Sequence, residues 1–302
     1  MKQQDSQIPR PSRQRSKPDW LKVSFPVGEN YHRIDRYHHQ HGLNSVCRSA
    51  ACPNQGECWN RGTATFMILG DRCTRSCNFC NITNAHPAAV DPDEPARVAR
   101  AIAELQLKHA VITSVTRDDL SDGGAAQFAT LVRKIKELAG DCRIELLIPD
   151  LAGDSAPLAL ILDEGPQILG HNLETVPRLY PAVRPEADYH RSLQVLANAR
   201  QLAPAVITKS GLMLGMGEER AEVLQVLHDL RTHGCQLLTL GQYLAPTRGH
   251  YPVQRFVHPD EFADYARYGR DLGFDHVEAG PLVRSSYHAE EQFTASTTGH
   301  HG

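Results

Sequence analysis

From residue 62 onward, short apolar runs alternate with stretches in which apolar residues return every three to four positions. The runs at 63–69, 110–115, 143–148, 167–173, 206–212 and 236–241 have the length and composition of buried strands. Between them, 95–107, 125–138, 189–201 and 218–232 read as amphipathic helices. In 125–138, for instance, Phe128, Leu131, Val132 and Ile135 fall on one face. A further helical pattern near 259–272 follows the last run. Strands alternating with helices of this length build βαβ units around a parallel sheet. Six such units predict an α/β fold, a partial (βα)6 TIM-like barrel open on one side, although a doubly wound sheet has the same signature. No internal sequence repeat is visible beyond this alternation.

The flanks are different. Residues 1–18 form a basic arm, with Lys2, Arg10, Arg13, Arg15 and Lys17 among polar residues and prolines, and are expected to be flexible. Residues 19–61 are rich in Asn, His, Gly and Cys and show no clear periodicity, so they read as a cysteine-rich extension. Residues 62–280 hold the barrel, and 281–302 form a closing segment whose end, 294–302, is small and polar. His32, His38, His39 and His41 resemble a metal tract, but their spacing is irregular and a solvated or interfacial role fits better.

Composition narrows the function. A chain of 302 residues, 41% hydrophobic and 22% charged, is ordinary for a globular protein and suits a single barrel. A net charge of −3 argues against a broad nucleic-acid footprint. No apolar run approaches the roughly 20 residues of a membrane span, and the basic arm lacks the apolar core of a signal peptide. The expected location is therefore cytoplasmic. Of eight cysteines, six fall between Cys47 and Cys80, a clustering that points to metal binding rather than disulfides. Cys142 and Cys235 stand alone near strand beginnings and read as inert buried thiols.

Directly after the first strand comes Cys73-x3-Cys77-x2-Cys80, in the kind of loop where barrels of this type build their active sites. Three thiolates can hold three corners of a four-iron cluster and leave the fourth iron open to a cofactor. Zinc is the alternative, with His86 near enough in sequence to serve as a fourth ligand. The spacing, with Phe79 before the last cysteine, resembles the signature of the radical S-adenosylmethionine (SAM) superfamily. That resemblance implies that the open iron chelates SAM, that an electron from the cluster cleaves it to a 5′-deoxyadenosyl radical, and that Phe79 packs near the adenine.

A second triad, Cys47-x4-Cys52-x5-Cys58, matches neither a ferredoxin run nor a paired zinc knuckle. Together with Pro53-Asn54-x-Gly56-Glu57-Cys58-Trp59 and with Arg284-Ser285-Ser286-Tyr287 near the far end, it resembles the lipoyl synthase family. The three motifs span residues 47 to 289 and are specific in combination. The resemblance implies a second [4Fe–4S] cluster on Cys47, Cys52 and Cys58, closed by the Ser286 oxygen. It further implies insertion of two of that cluster's sulfurs at C6 and C8 of a protein-bound octanoyl-lysine. An oxygen ligand is the poorest match to soft iron–sulfur chemistry, so Ser286 is expected to be the easiest of the four to displace. Implied partners are octanoylated lipoyl-carrier proteins (2-oxoacid dehydrogenase E2 domains and the glycine-cleavage H protein), a low-potential electron donor and an iron–sulfur cluster carrier, with no nucleic acid and no membrane.

Other residues at the barrel mouth are candidates for SAM contacts. Asp119, Gly123 and Gly124 follow the second strand, and helix capping by Asp122 with turn formation by the glycines is the alternative there. Asn172 and Glu174 follow the fourth strand, and Lys209 stands on the fifth. Two other readings remain: a different radical SAM sulfur-inserting enzyme, and a zinc-stabilised binding module without catalysis.

Overall fold

The structure, a computed structural model, describes residues 17–23, 28–50, 52–61 and 63–298. The expected basic arm, apart from Lys17 and Pro18, and the tail beyond residue 298 lie outside the described residues. Helix α1 (Glu29–Gln40) comes first, followed by the two-residue strand β1 (Asn44–Ser45) and the short helices α2 (Val46–Ser49) and α3 (Gln55–Asn60). Strand β2 (Thr65–Ile68) opens the alternation, and a small parallel ladder of β3 (Arg72–Cys73) with β4 (Thr83–Asn84) frames the loop after it. The repeat continues through α4 (Glu94–Glu104), β5 (His109–Ser114), α5 (Ala125–Leu138), β6 (Arg143–Leu147), α6 (Ser155–Leu162) and β7 (Ile168–Gly170). It ends with α7 (Tyr180–Val183), α8 (Tyr189–Leu202), β8 (Ile207–Leu214), α9 (Arg220–Thr232), β9 (Leu237–Gln242), α10 (Pro259–Asp271), β10 (His276–Gly280) and α11 (Ala289–Thr298).

The strands form one sheet in the order β1-β2-β5-β6-β7-β8-β9-β10. Every pair is parallel except β1 with β2, where Ser45 lies opposite Phe66. Among the described residues no ladder joins β10 back to the first strands, so the wall stays open, as the sequence pattern suggests. The central strands are buried along their whole length, which is why they read as continuous apolar runs rather than alternating ones. The helices bury one stripe each; α5 buries Phe128, Leu131, Val132 and Ile135. Their starts are fixed by side chains: Asp154 and Asp188 cap α6 and α8, and Glu219 with Glu222 makes a capping box on α9. Burial of each such Leu, Ile or Phe stabilises the fold by about 1.5–3 kcal/mol.

Two features go beyond the sequence pattern. The parallel sheet has a seventh strand, β10, whose only buried residue is Val277, so no apolar run announces it. The extension ahead of the barrel is also not irregular. Helix α1 buries Ile34 and His38, and the His38 ring lies nearly parallel to Trp59 and to Phe66, at 5.3 Å from each. His38 is thus a buried aromatic layer joining the extension to β2, whereas His32, His39 and His41 are exposed, and the four do not form a metal tract. No helix among the described residues is long and apolar enough to cross a membrane.

Candidate active site

At the carboxyl ends of the parallel strands lies a cavity of about 500 Å³, and both cysteine triads reach it. Cys73, Cys77 and Cys80 line it together with Cys47 and Cys52 of the extension and Arg284, Ser285 and Ser286 of the closing segment.

The first triad is held by its own loop and its neighbours. Thr116 N donates to Cys73 Sγ at 3.3 Å, Cys80 N to Cys77 O at 3.0 Å, and Asn78 N to Val183 O at 2.9 Å. The buried Arg75, inside the Cys-x3-Cys spacer, donates to Asp118 at 2.8 Å and to both oxygens of Asp150 at 3.0 and 2.7 Å. Burial alone would raise the Asp150 carboxyl, but the Arg75 guanidinium overrides it and holds it at about 2. Burial, against the opposing charge of Arg184, pushes Cys77 up to about 11, and burial pushes Cys80 up to about 12. Such thiols keep their protons until a cation compensates the thiolate, which suits a buried set of soft metal ligands.

The second triad is built from two parts of the chain. Cys47 sits in α2, Cys58 in α3, and Cys52 between them, its N–H donating to Cys47 O at 2.9 Å. Burial, reinforced by Cys47 and Cys52, pushes Cys58 up to about 12, and burial followed by Cys47 raises Cys52. The closing segment is pinned to this element: Asn54 donates to Leu282 O, Tyr287 Oη to Glu57 Oε1 at 3.1 Å, and Arg61 to Glu291 at 2.7 Å. Asn81 Nδ2, just past the first triad, donates to Ser49 O at 2.8 Å and ties the two elements together.

The expected SAM-contacting residues divide. Phe79, Asn172 and Glu174 line the cavity. Asp119 does not; it is exposed and holds Arg117 through two bonds of 2.9 Å. Gly123 and Gly124 also stay outside the lining. Asp122 accepts from Gly124 N and Ala126 N at 2.9 Å each, and Gly124 takes a φ of 90° where an added Cβ would fall 2.3 Å from Leu69, so this stretch caps α5. Lys209 is not in the lining either, although its Nζ meets the cavity-lining Glu145 at 2.7 Å in a fully buried pair that His109 Nε2 joins at 3.2 Å. His86 is exposed and outside the lining, and among the described residues no three His, Cys, Asp or Glu side chains converge on a single ion.

Three cavity residues escape sequence reasoning. Arg184 donates to Asn172 O and Leu173 O at 3.0 Å each, and nothing near it in sequence signals that role. His171 contacts Ile148 O at 2.9 Å through Nδ1, and burial, helped by Arg184, pushes it down to about 4. Arg75 has a signal in hindsight, since it lies between two of the cysteines. Cys142 and Cys235 are buried away from the cavity, their thiols pushed by burial to about 11 and about 12.

Comparison with known proteins agrees with this geometry. The Radical SAM superfamily matches residues 67–230, just over half of the chain. A protein of Rubrobacter xylanophilus named lipoyl synthase is 52% identical over 276 residues, 91% of this chain and 86% of that protein. A lipoyl synthase of Pseudomonas putida is 54% identical over 277 residues, again 91% of this chain and 82% of the other. Among solved structures, the FeFe-hydrogenase maturase HydG from Carboxydothermus hydrogenoformans superimposes with a TM-score of 0.57 at 13% identity, covering 80% of this chain and 63% of its own. Methylornithine synthase gives 0.55 at 16% identity over 79% and 73%. At these identities the likeness to solved structures concerns the fold.

Proposed function

The chain belongs to the lipoyl synthases of the radical SAM superfamily, sulfur-inserting enzymes, and from that premise we propose how its residues divide the work. Cys73, Cys77 and Cys80 hold the [4Fe–4S] cluster that binds SAM. Cys47, Cys52, Cys58 and Ser286 hold a second [4Fe–4S] cluster. When bound, SAM and the first cluster supply a carbon-centred radical, and the second cluster supplies sulfur for C6 and C8 of the octanoyl chain. The observation that carries this reading is that thiols of both triads and the serine pair open onto one cavity.

The donor set fits such groups. The thiols are soft, sunk in protein and short of compensating charge, and Ser286 lies at the cavity with no hydrogen bond to its hydroxyl among the described residues. Phe79, Asn172 and Glu174 orient SAM by packing and hydrogen bonding. The apolar wall, including Met67, Val111, Leu147 and Leu212, receives the acyl chain and excludes water. Residues 19–61 thus serve the second cluster, 62–280 the radical chemistry, and 281–302 the fourth ligand and closure. The partners are an octanoylated carrier domain, a low-potential reductant and a cluster carrier, in the cytoplasm.

Anaerobic incubation with SAM, a reductant and an octanoyl-lysine peptide tests the division. The intact protein should add two sulfurs to the peptide mass. Cys77→Ala should make no 5′-deoxyadenosine, whereas Cys52→Ala should still make it and add no sulfur. Normal deoxyadenosine from Cys77→Ala, or sulfur product from Cys52→Ala, would refute it. Zinc without sulfide in the purified protein would favour the non-catalytic alternative.

A further inference from the structure

Asn172 joins two parts of the cavity. It is buried just past β7, and its Nδ2 donates to Glu174 Oε1 at 3.0 Å and to Ser285 Oγ at 2.6 Å, which occupies both protons of the amide. Glu174 has little freedom to move. Its backbone sits at a φ of 66°, uncommon for a side-chain-bearing residue, and is fastened to β8 by Glu174 N to Gly211 O at 3.0 Å and Met213 N to Glu174 O at 2.8 Å.

The strands beneath are shaped for the same contact. A Cβ on Gly211 would lie 2.6 Å from Thr239 Oγ1, 3.0 Å from Asn172 Oδ1 and 3.3 Å from Ser285 Oγ. A Cβ on Gly241 would lie 2.0 Å from Val283 O. Bare backbone on β8 and β9 therefore makes the seat on which 283–285 rests, and Asn172 fastens it there.

We infer that Asn172 is a positioning residue for the second cluster: by holding Ser285 it leaves Ser286 as the hydroxyl presented to Cys47, Cys52 and Cys58, in a register fixed to Glu174. This rests on reading the second triad as an iron–sulfur site. It is separate from any contact Asn172 makes with SAM, because it acts through Ser285. Partners that orient a metal ligand are commonly worth 10- to 100-fold in metal affinity, so the effect should be measurable.

The test uses the full chain carrying Cys73→Ala, Cys77→Ala and Cys80→Ala, which leaves only the second cluster and no iron to chelate SAM. Into it go Asn172→Ala, Ser285→Ala, the two together, Gly211→Ala, and Ser286→Ala as the reference for a lost oxygen ligand. Mössbauer spectra and the rate of iron release to a ferrous chelator are recorded after anaerobic reconstitution. Asn172→Ala, Ser285→Ala and Gly211→Ala should each load a cluster, shift the spectrum toward that of Ser286→Ala and release one iron roughly 10- to 100-fold faster. The double variant should be no faster than either single one, since both remove the same bond. If Asn172→Ala is too unstable to purify, Ser285→Ala carries the same expectation. Unchanged release and spectrum, or additive rates, would overturn the inference alone. A parental triple variant that loads no cluster would overturn the reading beneath it as well.

Discussion

Cys73, Cys77 and Cys80 are placed by eight consecutive residues of one loop, anchored within the barrel by Arg75, Thr116 and Val183. Cys47, Cys52 and Cys58 lie in and between two short helices outside the parallel strands. Their element is held by an aromatic stack on one side and by residues 282–291 on the other. The first arrangement is local and braced by buried charge. The second is assembled from distant pieces and meets a serine. On the proposed division of work, rigid bracing would suit a site that must survive each turnover, and a composite site with one oxygen ligand would suit a group that gives up its sulfur.

Separate anchors can be broken separately. The largest effect is expected from Trp59→Ala, which removes a fully buried indole between Tyr31 and His38 and should cost about 4 kcal/mol in urea unfolding. The folded fraction should retain SAM cleavage and lose iron from the second site; loss of SAM cleavage first would contradict independent anchoring. Arg75→Met is the converse. It leaves the fully buried Asp150 with Arg191, at 3.4 Å, and the N–H of Ala152, at 3.2 Å, and should cost about 3 kcal/mol. Here SAM cleavage should fail while iron at the second site is retained, and the opposite order of loss would count against the comparison.

The smallest effect concerns His171, behind the first triad and facing Asp150, Arg75 and Arg184. Its folded value of about 4 lies below the ordinary imidazole value of about 6.5, so between the two the unfolded chain binds more protons. Stability is therefore full above that upper value and falls as pH drops toward the lower one, by about 2 kcal/mol between pH 7.5 and 5. His38, lowered chiefly by burial, adds to the same trend from the other site. Urea midpoints across this range should flatten in His171→Asn, and an unchanged slope would mean the imidazole is not held neutral.

What could be read in the sequence follows from what burial does to composition. Six parallel strands are legible because they are covered on both faces and therefore written in Val, Ile and Leu. The seventh strand is not, because His276, Glu278, Ala279 and Gly280 are only partly buried and Val277 alone is buried in the core. Helix α1 hides for a related reason: at one of its core-facing positions an aromatic ring is supplied by a histidine. The two cysteine triads and Ser286 were legible as candidates, the cysteines from their spacing and Ser286 from the motif around it. Lys209, Arg184 and the Asn172–Ser285 bond were not, since each is decided by which strand stands opposite. Lys209 faces Glu145 of β6 across the barrel interior, and a sequence gives no hint that this charge is already matched.

The bonds from Asn54 to Leu282 and from Glu57 to Tyr287 join positions 228 and 230 residues apart. Contacts of such separation form late, because the intervening chain must be organised before its ends can meet. The eight-residue loop of the first triad finds its first anchor at Thr116 and further ones at Asp150 and Val183, whereas Ser286 arrives once every βα unit between has been laid down. In time, then, the serine is a checkpoint. A chain caught with its barrel half-built would offer the three thiols of the extension without the closing segment, and a barrel disturbed anywhere along its wall would lose that segment before the thiols lost one another.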